Sequence, residues 1–220
     1  MQVKVCGVRD RAGAEACAAA GVNYVGFNFV RGARRSVHIE EAVELRTFLG
    51  ESVVSVGLFR DSLRDEVEGV GTAVGVTWVQ LHGDESPVLC GQLMRRFRVI
   101  KAVDIELARD TKRIQQYAGS IDILLVDGKR PGTGTRWDWS ALAECRRLLP
   151  GVPLFLAGGL HPWNVQEAIA TVRPDGVDTA SGVERDRKQA PDLIEAFALN
   201  ARGEAIPRPL HTSFAGEQAK

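Results

Sequence analysis

The sequence has no net charge and no long apolar run. Its 28 lysines and arginines balance 28 aspartates and glutamates, so the overall charge does not indicate nucleic acid or an anionic membrane as a partner. No apolar stretch approaches the roughly 18–20 residues of a membrane-spanning helix. Residues 1–5 begin a strand pattern and lack the charged and apolar regions of a signal peptide. We therefore expect a cytoplasmic protein that binds neither nucleic acid nor membranes.

The cysteines are too few and too scattered for a disulfide framework or a metal centre. Cys6, Cys17, Cys90 and Cys145 form no C-x-x-C pair and show no Cys/His ligand spacing. Such a distribution is typical of free thiols in a reducing compartment. We expect no metal site.

What the sequence does contain is a regular alternation of short β-rich runs and helical stretches. The predicted strands are residues 3–6, 22–29, 53–59, 76–81, 98–103, 121–126, 153–157 and 176–179. The predicted helices are residues 10–20, 39–49, 61–70, 87–97, 108–117, 140–149, 162–170 and 191–200.

Eight strands that alternate with helices through short loops favour a parallel α/β arrangement. This count, without a linker to a second domain, predicts a single-domain (β/α)8 barrel, the TIM barrel, with eight parallel strands. An open doubly wound sheet usually has about five or six strands and often a glycine-rich first turn, which residues 7–9 do not provide. We expect residues 1–200 to form the barrel and residues 201–220 a loose tail.

In such a barrel the functional residues lie at the carboxyl ends of the strands and in the loops that follow them. Position therefore selects a short set of candidates before residue type is considered. The set is Cys6, the basic loop 31–35, His82, Asp104, Asp127, Gly158 with Gly159, and Ser181 with Gly182.

Two glycine-containing loops follow the seventh and eighth strands. Gly158 and Gly159 end the seventh, while Ser181 and Gly182 follow the eighth. Glycines there let backbone N–H groups approach an anion, and a short helix starting at Ser181 would direct its positive end toward it. The alternative is that these glycines only form tight turns. Because the loops are on adjacent strands, we predict a phosphate site between them.

Asp127 and Cys6 each end a short apolar strand and precede a glycine. Asp127 should be partly buried, which raises a carboxyl pKa and makes the group a usable general acid. Its alternative role is that of a capping or loop aspartate. Cys6 could act as a base only as the thiolate, so a nearby positive charge would have to lower its pKa, and Arg35 could supply that charge. Its alternative role is that of a small buried apolar residue.

His82, at the end of the fourth strand, is better interpreted as a hydrogen-bonding residue at the barrel mouth than as a catalyst. Together, the acid, the thiol and the phosphate site predict an isomerase that acts on a sugar phosphate by acid/base chemistry.

At these residues the chain closely resembles the phosphoribosylanthranilate isomerase family, (β/α)8 enzymes of tryptophan biosynthesis. The matching segments run in order from the first strand to the eighth and cover about residues 2–200. They are residues 4–7, 26–29 with Arg35, 80–83, Asp127 with 132–134 and 138–139, 156–160 with Pro162 and 164–165, and 176–178 through 181–184.

The resemblance implies an Amadori rearrangement that converts an aminoaldose into an aminoketose. Asp127 would protonate the ribose ring oxygen, and the Cys6 thiolate would remove the proton from ribose C2. Arg35 would bind the anthranilate carboxylate, and the loops at Gly158–Gly159 and Ser181–Gly182 would hold the phosphate. One acid and one base suffice, so no metal or organic cofactor is expected. The partner is a small phosphoribosyl substrate, and we expect a monomer or homodimer.

Two loops depart from the family pattern. The second loop commonly reads Ser-Pro-Arg but is Ala33-Arg34-Arg35 here, so either arginine could be the carboxylate ligand. The last loop often reads Ser-Ser-Gly but is Ala180-Ser181-Gly182 here, which removes one hydroxyl and no backbone donor. Neither change affects the acid/base pair.

Two other functions remain as alternatives. One is a related isomerase of a histidine-pathway aminoaldose, with single or dual specificity. Such enzymes use two aspartates, one of them at the end of the first strand, where this chain has Cys6. The other is a catalytically silent barrel that binds a phosphorylated ligand. The presence of both Cys6 and Asp127 argues against it.

Overall fold

The short apolar runs of the sequence form a closed barrel in the computed structural model, which describes residues 1–128 and 140–204. Every neighbouring pair of barrel strands is parallel, and the eighth strand closes the barrel by pairing with the first. The strands are β1 Gln2–Cys6, β2 Tyr24–Asn28, β3 Val54–Phe59, β4 Trp78–Leu81, β5 Arg98–Asp104, β6 Ile123–Asp127, β7 Leu154–Ala157 and β8 Gly176–Thr179. The predicted (β/α)8 barrel is confirmed.

Helices follow the strands and cover the outside of the barrel. They are α1 Arg11–Ala19, α2 Ile39–Thr47, α3 Arg64–Val74, α4 Pro87–Leu93, α5 Ile105–Arg109, α6 Thr111–Gln115, α7 Ser140–Leu148, α8 Val165–Val172 and α9 Pro191–Ala201. After β8 come a 3-10 turn, Ser181–Val183, and a small hairpin formed by β9 Glu184–Arg185 and β10 Lys188–Gln189. A short helix starting at Ser181 was expected, whereas the hairpin was not. Among the helices of the described residues, none has the length and apolar content that a bilayer crossing requires.

The helix predicted over residues 108–117 is wrong in its boundaries. The structure has two short helices there, and an aspartate begins each of them. The Asp104 carboxylate accepts from Leu107 N at 2.8 Å, and the Asp110 carboxylate accepts from Arg113 N at 3.1 Å. Both are N-caps, which satisfy backbone N–H groups at a helix start and so separate α5 from α6.

Two other predicted helices start later than expected. Asp61 has a positive φ of 52° and belongs to the loop before α3, which then extends to a left-handed C-cap at Gly75. Pro162 precedes α8 by a turn in which the Asn164 side chain accepts from His161 N at 2.8 Å. In both cases local side-chain and backbone conformations delay the helix.

Alternation along each strand separates two cores. On β5, Ile100 and Ala102 belong to the cluster inside the barrel, whereas Val99 and Val103 belong to the layer between strands and helices. This is the period of two that a strand imposes on its side chains. On β1, Val3 and Val5 likewise face the helices, so the alternate residues of that strand face inward.

The amino end of the barrel is closed by aromatic rings. Tyr24 packs edge-on against Trp78 and Phe155, with ring centroids 5.5 and 5.7 Å apart. The carboxyl end is lined instead by polar side chains, so the two ends of the barrel differ in chemistry.

The last helix packs against the start of the chain. α9 contacts α1 and α8, and Ala201 is buried. Arg202 donates to the carbonyl oxygens of Ala20 and Gly21, so the ordered chain continues past residue 200. Residues 205–220, most of the predicted tail, lie outside the described residues, and the proposed division at residue 200 stays a prediction.

Candidate active site

A cavity of about 280 Å³ opens at the carboxyl end of the strands. Cys6 at the end of β1, His82 after β4 and Asp127 at the end of β6 all line it, as does Arg35 from the loop after β2. The structure therefore brings together four predicted residues that are far apart in the sequence. Their roles stay predictions at this point.

Asp127 is partly buried, as expected, with 32% of its side chain exposed. Its Oδ2 lies 3.4 Å from His82 Nε2, and His82 Nδ1 lies 3.4 Å from Gln80 Nε2. His82 thus lies at the cavity, as expected of a residue at the barrel mouth, and contacts the candidate acid. A second cavity of about 470 Å³ adjoins this region and shares Arg60, His82 and Asp127 with the first.

Cys6 is buried, and the environment of its sulfur differs from the sequence-based expectation. Burial raises the pKa of the Cys6 thiol. The largest opposing influence is the charge of Lys4, while the effect of Arg35, the predicted source of positive charge, is smaller. Arg35 thus acts in the expected direction, and Lys4, for which no role was predicted, has the larger effect. Lys4 lies two residues before Cys6, a spacing that places both on one face of β1.

Lys4 is paired inside the barrel with a carboxylate that sequence reasoning also missed. Its Nζ donates to Asp178 Oδ1 at 2.9 Å, and none of its side chain is exposed. The two residues face each other in the register that joins β1 to β8. Burial lowers the pKa of Lys4, but the attraction of Asp178 and Cys6 outweighs it, so the ammonium is favoured. For Asp178, burial raises the pKa and Lys4 opposes this. The short contact is that of a charge-assisted hydrogen bond, so we assign an ammonium and a carboxylate.

Arg35 is held by Glu184, a residue for which no role was predicted. Arg35 Nε and Nη2 donate to the two Glu184 oxygens at 2.6 and 3.0 Å, and Arg34 Nη2 donates to Glu184 Oε2 at 2.6 Å. Burial alone would raise the pKa of Glu184, but the bonds from both arginines lower it. Arg35 lines the cavity and is 22% exposed, whereas Arg34 does not line it and is 38% exposed. The geometry favours Arg35 over Arg34 as the group that faces a ligand.

The two glycine loops lie against each other. Gly158 and Gly159 have φ values of 97° and 69°, in the region that favours glycine. A Cβ at Gly182 would overlap the Leu160 carbonyl oxygen, so the β8 loop can approach the β7 loop this closely only with glycine at that position. Ser181 begins the 3-10 turn, and Ala180 just before it lines the cavity.

The remaining candidates have other roles or lie outside the described residues. Asp104 caps α5 and lines the larger cavity, not the one that contains Cys6. Residues 132–134 and 138–139, which carry part of the family resemblance, belong to the undescribed segment 129–139. Within residues 1–128 and 140–204, no group of three or more His, Cys, Asp or Glu side chains is placed to hold a metal ion.

The fold and the polar cavity at the carboxyl ends of the strands define a (β/α)8-barrel enzyme. The family model for N-(5'-phosphoribosyl)anthranilate (PRA) isomerase matches residues 3–200. The chain therefore belongs to the phosphoribosylanthranilate isomerase family, which confirms the resemblance read from the sequence.

Curated relatives and solved structures agree with this membership. The N-(5'-phosphoribosyl)anthranilate isomerase of Synechocystis sp. is 37% identical over 215 residues, which cover 94% of this chain and 97% of the relative. That of Ruegeria sp. is 38% identical over 212 residues, 92% of this chain and 98% of the relative.

The crystal structure of phosphoribosyl anthranilate isomerase from Thermotoga maritima is similar with a TM-score of 0.84 and 36% identity, over 92% of this chain and 99% of that one. A phosphoribosyl anthranilate isomerase in complex with reduced 1-(o-carboxyphenylamino)-1-deoxyribulose 5-phosphate has a TM-score of 0.82 and 34% identity, with the same coverage.

Proposed function

We propose that this chain catalyses the Amadori rearrangement of N-(5'-phosphoribosyl)anthranilate to 1-(2-carboxyphenylamino)-1-deoxyribulose 5-phosphate, a step of tryptophan biosynthesis. The observation that carries the proposal is that Cys6 and Asp127, from β1 and β6, line one cavity. An acid and a base on different sides of one cavity can act on different atoms of one bound sugar ring.

Asp127 is the general acid. Its carboxyl group delivers a proton to the ribose ring oxygen, the bond from that oxygen to C1 breaks, and the nitrogen lone pair forms the C1=N bond of a Schiff base. The group is partly exposed, so it can exchange protons with solvent between turnovers, and it contacts His82. The ring has then opened.

Cys6 is the general base. The iminium makes the C2 proton acidic, and the Cys6 thiolate removes it, so that the electron pair of the C2–H bond forms the enolamine. Tautomerisation then gives the 2-ketone. In that step the C2 hydroxyl loses its proton and C1 gains one. The ring-opening proton and the C2–H proton are each transferred by one side chain, so the chemistry requires no metal or organic cofactor.

Arg35 binds the anthranilate carboxylate. Glu184 holds its Nε and Nη2, so the carboxylate either contacts Nη1 or replaces Glu184 on the guanidinium fork. The loops at Gly158–Gly159 and Ser181–Gly182 hold the phosphate, and their mutual contact through Leu160 and Gly182 supports this assignment.

The wider assignments are also proposals. We infer a cytoplasmic protein that acts on a small phosphoribosyl substrate, as a monomer or homodimer, through a single domain over residues 1–200. Size-exclusion chromatography with light scattering tests the oligomeric state, and cell fractionation tests the location.

Turnover of phosphoribosylanthranilate, followed by the loss of anthranilate fluorescence, tests the function. We expect Cys6→Ala and Asp127→Asn each to lower kcat by at least about 10²-fold, the usual size of one acid/base contribution. Cys17→Ala and Asp122→Asn are matched controls, because Cys17 is buried in α1 and Asp122 bonds Val99 N before β6 begins. Both controls should keep the wild-type kcat.

Absence of turnover by the wild-type chain, together with tight binding of a phosphorylated ligand, would support the silent barrel instead. Comparable turnover of a histidine-pathway aminoaldose would establish dual specificity. A Cys6→Ala kcat near that of the wild type would show that another group is the base.

A further inference from the structure

We propose that the Lys4 ammonium, held in place by Asp178, is the counter-ion of the Cys6 thiolate, and that Lys4 is therefore a positioning residue for the base. The inference deepens the proposed function and rests on Cys6 acting as the base. Lys4 touches no atom of the substrate in this assignment and acts through the Cys6 sulfur.

The location of Lys4 supports this role. Lys4 and Cys6 are separated by two positions on β1, so both side chains point into the barrel. Cys6 and Asp178 line the cavity, while Lys4 is fully buried beneath it. A lysine is almost never fully buried unless it is paired.

A glycine opens the space between the ammonium and the sulfur. A Cβ built at Gly26 on β2 would lie 3.0 Å from Cys6 Sγ and 3.4 Å from Lys4 Nζ. Gly26 does not have a positive φ, so backbone conformation does not require glycine here. Because Gly26 has no side chain, the Lys4 ammonium and the Cys6 sulfur both border the space that a Cβ would occupy.

The hydrogen bonds of Lys4 leave capacity for the sulfur. An ammonium has three N–H donors. Among the described residues, one oxygen, Asp178 Oδ1, accepts from Lys4 Nζ. Lys101, the other fully buried lysine described, bonds four oxygens within 3.2 Å.

The charges around Cys6 indicate what Lys4 does. Burial raises the pKa of the thiol, Lys4 lowers it, Asp178 raises it, and Arg35 lowers it less than Lys4 does. The other charged or titratable groups that line the cavity are Arg60, His82 and Asp127. With Lys4 present, burial and Asp178 still leave the pKa of the thiol above its ordinary value, and without Lys4 it would be higher still. After proton abstraction the sulfur is neutral, and the Lys4–Asp178 pair remains as it was.

The test is the alkylation rate of Cys6 by iodoacetamide as a function of pH, read by mass spectrometry of the Cys6 peptide in the folded full chain. The thiolate is the reactive form, so the rate reports its fraction. We expect Lys4→Met to raise the titration midpoint by at least about one pH unit, which lowers the rate at neutral pH about tenfold. Asp178→Asn should lower the midpoint, the opposite sign.

Lys101→Met is the matched control, because it removes an equally buried lysine that is paired with Glu85 and not with Cys6. Its Cys6 midpoint should equal that of the wild type. The buried thiols Cys17, Cys90 and Cys145 report unfolding, since they react only when the chain opens. A Cys6 midpoint unchanged by Lys4→Met would overturn the proposal.

If Lys4→Met does not fold, two other variants test whether Lys4 affects the Cys6 thiol. Lys4→Met/Asp178→Asn removes both charges, and the midpoint should still rise, because Lys4 affects the thiol more than Asp178 does. Gly26→Ala inserts a methyl group between Lys4 and Cys6 and should raise the midpoint by a smaller amount. Unchanged midpoints in both would again reject the role of Lys4.

Kinetics separate this inference from the proposed function. If both hold, Lys4→Met shifts the pH profile of kcat to higher pH by the same amount as the alkylation midpoint, with KM little changed. If the wild-type chain shows no turnover but the Cys6 midpoint responds to Lys4→Met, the coupling stands and the proposed reaction fails.

Discussion

Two buried lysines of this barrel have the same type of partner and different surroundings. Lys4 faces the barrel interior beside Cys6 and bonds Asp178. Lys101, on the same face of β5 as Val99 and Val103, points toward the helices and bonds Glu85 together with three backbone carbonyls.

The difference distinguishes a structural cation from one that can influence chemistry. Two of the carbonyls that accept from Lys101 belong to Leu81 and Gly83, which flank His82. Glu85 in turn accepts from the N–H groups of Asp61 and Gly83. This network fixes the loop after β4. The Lys4–Asp178 pair instead joins two strands, β1 and β8, and lies against the Cys6 thiol.

The largest expected effect is on stability, at the Lys101–Glu85 pair, which lies between the strands and the helices. Lys101→Met leaves the buried Glu85 carboxylate without its cation, which typically costs about 3–5 kcal/mol. Urea unfolding should show this loss. Lys101→Met/Glu85→Leu removes both charges but also the acceptor of the Asp61 and Gly83 N–H groups, so it should recover only part of the loss. A Lys101→Met variant as stable as the wild type would contradict the structural role of the pair.

At the Lys4–Asp178 pair, inside the barrel, the effect on stability should differ from the effect on activity. Lys4→Met/Asp178→Leu should likewise recover stability relative to Lys4→Met, because an apolar replacement of a buried ion pair is often neutral or stabilising by about 1–4 kcal/mol. Its kcat at neutral pH should nevertheless stay below wild type, though by less than in Lys4→Met, because the loss of Asp178 offsets part of the rise in the Cys6 pKa. Full recovery of kcat would show that the Lys4–Asp178 pair, like the Lys101–Glu85 pair, only stabilises the fold.

The sequence predicts the barrel but not these pairs. Each βα unit is visible locally, in a short apolar run followed by a capped helix, and Cys6 and Asp127 are found because each ends such a run. Lys4 and Asp178 are 174 residues apart, and only the closure of β8 onto β1 makes them neighbours. Lysine side chains are mostly exposed, so a single lysine in a predicted strand would be expected to face the solvent.

Local sequence also fails where side chains compete with the backbone pattern. Asp104 and Asp110 split a predicted helix by capping two shorter ones. Glu184, at the start of β9, and Arg35 are 149 residues apart in the sequence. The segment 181–184 resembles the family, but its local pattern does not reveal that Glu184 contacts Arg35.

A third, more exposed ion pair gives a smaller effect. Arg35→Ala should raise KM about tenfold or more with little change in kcat, because a hydrogen bond to a charged group contributes about 1.5–3 kcal/mol. Arg34→Ala is the control, since Arg34 bonds the same carboxylate without lining the cavity. A KM unchanged in Arg35→Ala and raised in Arg34→Ala would transfer the role to Arg34.

The smallest expected effect is the pH dependence of this same pair. The two arginines hold the pKa of Glu184 below its usual value. Its stabilisation is therefore fully present above the unfolded pKa near ~4.3 and is lost as the pH falls through the lower folded value. The loss should be about 1 kcal/mol or less. Chemical unfolding measured at pH values from above the unfolded pKa of Glu184 to below its folded pKa should show this loss of stability in the wild type and not in Glu184→Gln. An equal pH dependence in both proteins would show that another group causes it.

The most direct test of the central claim is the single-turnover rate with phosphoribosylanthranilate that carries deuterium at ribose C2. If the Cys6 sulfur removes that proton, deuterium slows the wild-type reaction, and Cys6→Ala is at least about 10²-fold slower than wild type with the unlabelled substrate. A Cys6→Ala rate within a few-fold of wild type, with the isotope effect intact, would show that another group removes the proton.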